Sequence, residues 1–152
     1  TDINYQYLQY SKSNHRTLWH VLCDATLLPF LPSTFDRIFS LFLFHHLSDL
    51  QTLDTLKEMQ ICLKPDGKIV IVDLFQTEKR WDLVSRAVSR LDRGQYVRPR
   101  QSMLGLINQA GKFQVEERRG APGEWPYSLS TYILTPWPAA LHKSISQFTD
   151  NI

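Results

Sequence analysis

The run Phe35–Asp73, FDRIFSLFLFHHLSDLQTLDTLKEMQICLKPDGKIVIVD, decides the fold of this chain. Ile38 to Phe44 is a short apolar run bounded by polar residues, and a helical pattern follows it. A Lys64-Pro65-Asp66-Gly67 turn then leads into a second apolar run, Ile69 to Leu74. The connection is too long for a hairpin loop and carries its own helix. The two strands are therefore predicted to lie side by side in a parallel sheet, joined by a right-handed crossover. Little polar alternation interrupts either run, which predicts helices over both faces of the sheet. In the crossover, Leu53, Leu56, Met59 and Leu63 recur near helical spacing, with Asp54, Lys57, Glu58 and Gln60 between them. That pattern lays one apolar stripe on the sheet and turns a polar face to water.

Upstream, Asn4 to Ser13 reads as a helix capped near Asn4, with Tyr5 and Leu8 on one side. Thr17–Cys23 reads as a strand closing on Asp24-Ala25, and Pro29, Pro32 and Ser33 leave little room for regular structure before Phe35. Downstream, Trp81, Val84, Val88 and Leu91 mark a helix ended by Arg93-Gly94. Pro99 fits the first turn of another helix, with Met103, Leu104 and Ile107 as its buried side and Gly111 as its stop. Phe113–Arg118 and Leu129–Thr135 are β-like and near enough to pair as an antiparallel hairpin about the Gly120–Pro126 connector. The weak pattern beyond Pro138 predicts a poorly held tail, so residues 1–137 form the expected domain and 138–152 the tail.

At 152 residues and 43% apolar content, the chain has enough material for one core and one domain. A net charge of +2 with no basic block argues against nucleic acid as a partner. Arg98, Arg100, Arg118 and Arg119 read as scattered surface cations. Cys23 and Cys62 lack a CxxC spacing and read as buried, reduced thiols. No apolar run is long enough to span a bilayer, and no signal-peptide pattern opens the chain, so a cytoplasmic protein is expected. The opening Thr1-Asp2-Ile3 reads as the end of a strand, which suggests a segment lost upstream.

The order of these pieces resembles a known family. Asp2-Ile3, Cys23-Asp24-Ala25 with Leu28-Pro29-Phe30, Phe35-Asp36, His45-His46-Leu47, Leu63-Lys64-Pro65-Asp66-Gly67 and Ile71-Val72-Asp73 look like the later motifs of class I S-adenosylmethionine-dependent methyltransferases. The likeness is greatest to small-molecule methyltransferases related to quinone-biosynthesis enzymes. It covers Asp2 to about Thr135. It implies an α/β fold: a doubly wound, Rossmann-like, mostly parallel sheet with an antiparallel C-terminal hairpin, and with the first strand missing here. It also implies S-adenosylmethionine as cofactor, lying at the carboxyl ends of the parallel strands.

By the same resemblance, Asp2 grips the ribose hydroxyls with Ile3 beside it, since a carboxylate can accept both hydroxyl protons at once. Asp24 accepts from the adenine amino group, with the Ala25 backbone alongside, although an Asx turn leaving the strand explains Asp24 equally. Ser40 and Leu41 line the methionyl part, or are ordinary buried strand. His45 is the candidate catalytic residue, orienting or deprotonating a substrate hydroxyl, against the plainer reading that it or His46 caps the next helix. The pair is a poor metal site, because adjacent residues on a strand point to opposite sides. Tyr96 and Arg98 fall where the family places substrate-covering elements.

The family's glycine-rich cofactor loop is not among these residues. Gly67, Gly94, Gly105, Gly111, Gly120 and Gly123 form no GxGxxG pattern. With the first strand gone, Trp19–Cys23 is predicted to pair directly with Ile38–Leu43. Two rival functions remain open: a non-catalytic, methyltransferase-like binding module, and a nicotinamide-dependent dehydrogenase. The dehydrogenase lacks any Tyr-x-x-x-Lys pair.

Overall fold

A computed structural model describes residues 1–76, 96–119 and 127–137. The elements run α1 (Tyr5–Asn14), β1 (Phe35–Leu41), a 3-10 turn (Phe44–His46), α2 (Asp49–Cys62), β2 (Leu63–Gln76), α3 (Arg100–Ala110), β3 (Phe113–Arg119) and β4 (Tyr127–Pro136). The helix expected over Trp81–Leu91, the Gly120–Pro126 connector and the tail lie outside the described residues.

The predicted crossover is present. β1 pairs parallel with β2 in the register Ile38↔Ile69, Ser40↔Ile71, Leu41↔Val72. Lys64–Gly67 is not a turn between elements but an irregularity inside β2, where pairing jumps from Phe35↔Leu63 to Arg37↔Lys68. The C-terminal hairpin is also present: β3 and β4 run antiparallel, and β4 lies against β2, giving the order β1-β2-β4-β3. The α/β class holds, and the described sheet is mixed, with one parallel and two antiparallel pairings.

Two expectations about the sheet need correction. Thr17–Cys23 is not a strand: its one bridge joins Leu22 to Asp2. Asp2 takes the ladder groups of this segment, donating from its N–H to the Val21 carbonyl at 3.3 Å and accepting from the Cys23 N–H at 3.1 Å. Trp19–Cys23 therefore does not pair with Ile38–Leu43, and β1 is an edge strand of the described sheet. Among the described residues, the helices of the core, α2 and α3, pack on one face. Ile69, Ile71, Asp73 and Phe75 of β2 are buried, whereas the residues between them are half-exposed. On β1, Phe39 and Leu41 face outward.

The covered face holds the core. Ile69, Ile71 and Phe75 meet Tyr132 and Leu134 of β4, Leu56 and Met59 of α2, and Met103 and Ile107 of α3. The α2 stripe is shifted from its prediction. Leu56 and Met59 are buried as expected, but Thr52, Thr55 and Cys62 complete the face and Leu53 lies at its margin. Cys62 is buried, Cys23 is only half-buried, and both are free thiols.

Neither histidine caps α2. Ser48 does, in a capping box with Gln51: Ser48 Oγ accepts from the Gln51 N–H at 3.3 Å, and Gln51 Oε1 accepts from the Ser48 N–H at 3.0 Å. Ser48→Ala orphans one of these donors and should lower stability by about 1 kcal/mol in urea unfolding. An unchanged midpoint would show that the box contributes nothing. Asn4 caps α1 as predicted, accepting from the Gln6 and Tyr7 N–H groups, and Gly111 closes α3.

Candidate active site

Where β1 ends, the chain turns sharply. Phe42 adopts φ 53°, a left-handed conformation that costs a bulky L-residue about 1–3 kcal/mol. Two bonds to β2 hold the turn: the Phe42 N–H donates to the Val72 carbonyl at 2.9 Å, and the Phe44 N–H donates to Asp73 Oδ2 at 2.6 Å. The 3-10 turn that follows lays His45 over the end of β2, with Nδ1 2.6 Å from Asp73 Oδ1. That oxygen also accepts from the Leu74 N–H at 2.7 Å. His45 is 7% exposed and Asp73 1%.

A second segment holds this arrangement from outside. The Tyr96 N–H donates to the His45 carbonyl at 3.0 Å, and Gln76 bonds the Val97 and Arg98 carbonyls at 2.8 and 3.1 Å. The Arg98 side chain, 8% exposed, reaches inward to the start of α2. Its Nη1 donates to Thr52 Oγ1 at 2.8 Å, while Nη2 donates to the Leu47 carbonyl and lies 3.3 Å from Asp49 Oδ1. Burial pulls the Arg98 guanidinium below its ordinary pKa, and the nearby Asp49 and Asp73 charges oppose that pull. Arg98 is thus a buried clamp and not the surface cation read from the sequence.

Asp2 and Asp24 form a separate group, joined through the bridge between Asp2 and Leu22. Asp2 is half-buried, and its Oδ1 accepts from the Asn4 N–H at 2.7 Å. Asp24 is exposed and makes the Asx turn that was its plainer reading, with Oδ1 accepting from the Thr26 N–H at 2.9 Å and Thr26 Oγ1 at 2.8 Å. The Thr26 backbone bond, then its hydroxyl, holds the Asp24 carboxyl below the usual carboxylate range. A depressed carboxylate stabilises the fold above its unfolded pKa, so this contribution is lost only as pH falls through the folded value in the acid range. Ile3 is exposed and Ala25 half-buried beside them.

Ser40 and Leu41 take opposite faces of β1, as neighbours on a strand must. Ser40 is sealed against the core, and its hydroxyl has no partner among the described residues. Leu41 is 61% exposed, so it is not buried strand. No hydrogen bond among the described residues joins the Asp2–Asp24 group to the His45–Asp73 group. A surface cleft of about 460 Å³ between α1 and the Arg16–Leu22 segment is lined by Tyr5, Leu8, Lys12, Trp19 and His20, and by none of the predicted site residues.

The sequence reading missed Asp73 and Arg98 as organising residues. Asp73 did carry a signal: an acid inside the apolar run IVIVDLF must be buried with partners or left outside the sheet. Arg98 carried none, because its partners lie on α2, far away in sequence. Among the described residues, no three His, Cys, Asp or Glu side chains gather as a metal site. No described helix is long and apolar enough to cross a membrane.

The fold is similar to that of a protein from Pyrococcus horikoshii, with TM-score 0.66 and 20% identity over 89% of this chain and 69% of that one. It is similar also to a SAM-dependent methyltransferase from Methanosarcina mazei, with TM-score 0.67 and 14% identity over 89% and 80%. A third likeness is to an N-methyltransferase from Haemonchus contortus in complex with phosphomonomethylethanolamine and S-adenosylhomocysteine, with TM-score 0.62 and 15% identity over 76% and 37%. The fold is therefore the Rossmann-like α/β fold that these structures share. Residues 1–71, just under half of the chain, match the family model described as a methyltransferase domain. No curated protein matches the chain.

Proposed function

We propose that this chain takes part in S-adenosylmethionine-dependent methyl transfer to a small-molecule acceptor. The observation that supports the reading is the parallel bridge between Asp2 and Leu22, which brings Asp2 beside the Val21–Cys23 backbone just ahead of Asp24. In open α/β folds ligands bind beyond the carboxyl ends of the parallel strands. Two carboxylate acceptors suit the hydroxyl and amino donors of the cofactor. Each carboxylate spends one oxygen on its own turn, at Asn4 and at Thr26. The other oxygen remains to accept from a ribose hydroxyl at Asp2 and from an adenine amino group at Asp24. Ile3 and Ala25 would flank the nucleoside, and the end of β1, Ser40-Leu41, would border its methionyl part.

When bound, the cofactor supplies an electrophilic methyl group. The chain's own task is to hold an acceptor at contact distance, which accounts for most of the acceleration available to such a transfer. His45 would take a proton from the acceptor.

Isothermal titration with S-adenosylmethionine tests this reading. Binding is expected, and Asp2→Ala should weaken it by about tenfold to a hundredfold, because it removes charge-assisted hydrogen bonds to the ribose. No heat at millimolar ligand would instead favour a non-catalytic module that keeps the sheet without the cofactor.

A further inference from the structure

Asp73 receives more polar contacts than any other acid among the described residues. Its Oδ2 accepts from the Phe44 N–H, and its Oδ1 meets both the Leu74 N–H and His45 Nδ1. An ionised carboxylate only accepts, so the imidazole nitrogen facing it must carry the hydrogen. His45 Nε2 has no hydrogen-bond partner among the described residues and is not fully shut off from solvent.

We propose that Asp73 is a positioning residue for His45: it fixes the imidazole as the Nδ1–H tautomer, leaving Nε2 as the only basic nitrogen for an acceptor that carries an O–H or N–H. The proton-acceptor role of Nε2 rests on the methyltransferase reading. The tautomer does not. Geometry gives Asp73 the same control over the backbone, since the oxygen that fixes the Phe44 N–H also secures the turn at Phe42. In the proposed proton step, the acceptor's O–H or N–H bond breaks, its electron pair stays on the acceptor, and the proton passes to Nε2. Nδ1–H remains on Asp73, and the ring becomes imidazolium beside a fixed negative charge.

The substitution Asp73→Asn makes a sharp prediction. An amide offers one oxygen and one NH₂ where the carboxylate offers two acceptors. The Phe44 N–H at Oδ2 and the Leu74 N–H at Oδ1 are both donors that cannot change; the Phe44 bond is the shorter and reaches across the turn after β1, so it claims the amide oxygen and the Leu74 N–H loses its acceptor. The NH₂ then faces His45 Nδ1, which must accept, and the ring is driven to the Nε2–H tautomer.

Long-range ¹⁵N–¹³C correlation NMR of the histidine rings in the full chain at neutral pH reads both states, with His45→Gln identifying the resonance. The expected result is an Nδ1–H tautomer in the wild type and an inverted tautomer in Asp73→Asn. An Nε2–H ring or an imidazolium in the wild type would overturn the proposal, as would an unchanged Nδ1–H ring in a folded Asp73→Asn. If Asp73→Asn does not fold, the wild-type tautomer alone decides. Titration with S-adenosylmethionine is a separate measurement: its failure would remove the methyltransferase reading and leave the tautomer result standing.

Discussion

Asp73→Ala should lower the unfolding free energy by about 3–5 kcal/mol, since each buried donor left without an acceptor costs about 1–3 kcal/mol. Three groups lose their acceptor together: the Phe44 N–H, the Leu74 N–H and His45 Nδ1. Asp73 is 1% exposed, so water cannot easily replace it. Domains of this size are typically stable by about 5–15 kcal/mol, so the loss would take a large share of the total. Urea unfolding measures it as a lower midpoint at constant slope. A drop below about 1 kcal/mol would mean that the turn after β1 holds without its acid and that Asp73 organises nothing.

Arg98→Ala should cost about 2–4 kcal/mol, by leaving the Leu47 carbonyl and the Thr52 hydroxyl without their donor and by removing a buried stem. The ion pair with Asp49 is a small part of this, because that carboxylate is 74% exposed and screened by solvent. Arg98→Lys should recover less than half of the loss, since a single ammonium cannot reach two divergent acceptors as a planar fork does. Equal stabilities for the Lys variant and the wild type would show that charge alone, and not the two-pronged geometry, matters at this position.

The two predictions concern the residues that sequence reading valued least. Local patterns revealed α1, α2, α3 and the β3–β4 hairpin, because helical periodicity and end signals such as Asn4, Pro99 and Gly111 are written in adjacent residues. The crossover between β1 and β2 was legible for the same reason: its length excludes a hairpin. Thr17–Cys23 shows where propensity fails. Its composition suits a strand, but a strand exists only beside a neighbour, and Asp2 supplies a single bridge. Trp19, which would lie inside a paired sheet, is 95% exposed.

The candidate site divides in the same way. The Asx turn at Asp24 could be read from the residues around it. That His45 would be buried on Asp73 could not, because it depends on a left-handed Phe42 that no preference of phenylalanine foretells.

The sequence by itself determined the α/β order, the parallel crossover, the closing hairpin and the likeness to a methyltransferase, since each follows from periodicity, turn chemistry and motif order along the chain. Only the tertiary structure decided which groups meet. His45 and Asp73 lie 28 residues apart, and Arg98 and Thr52 lie 46 apart, and no local rule relates residues that distant until the sheet and α2 have packed.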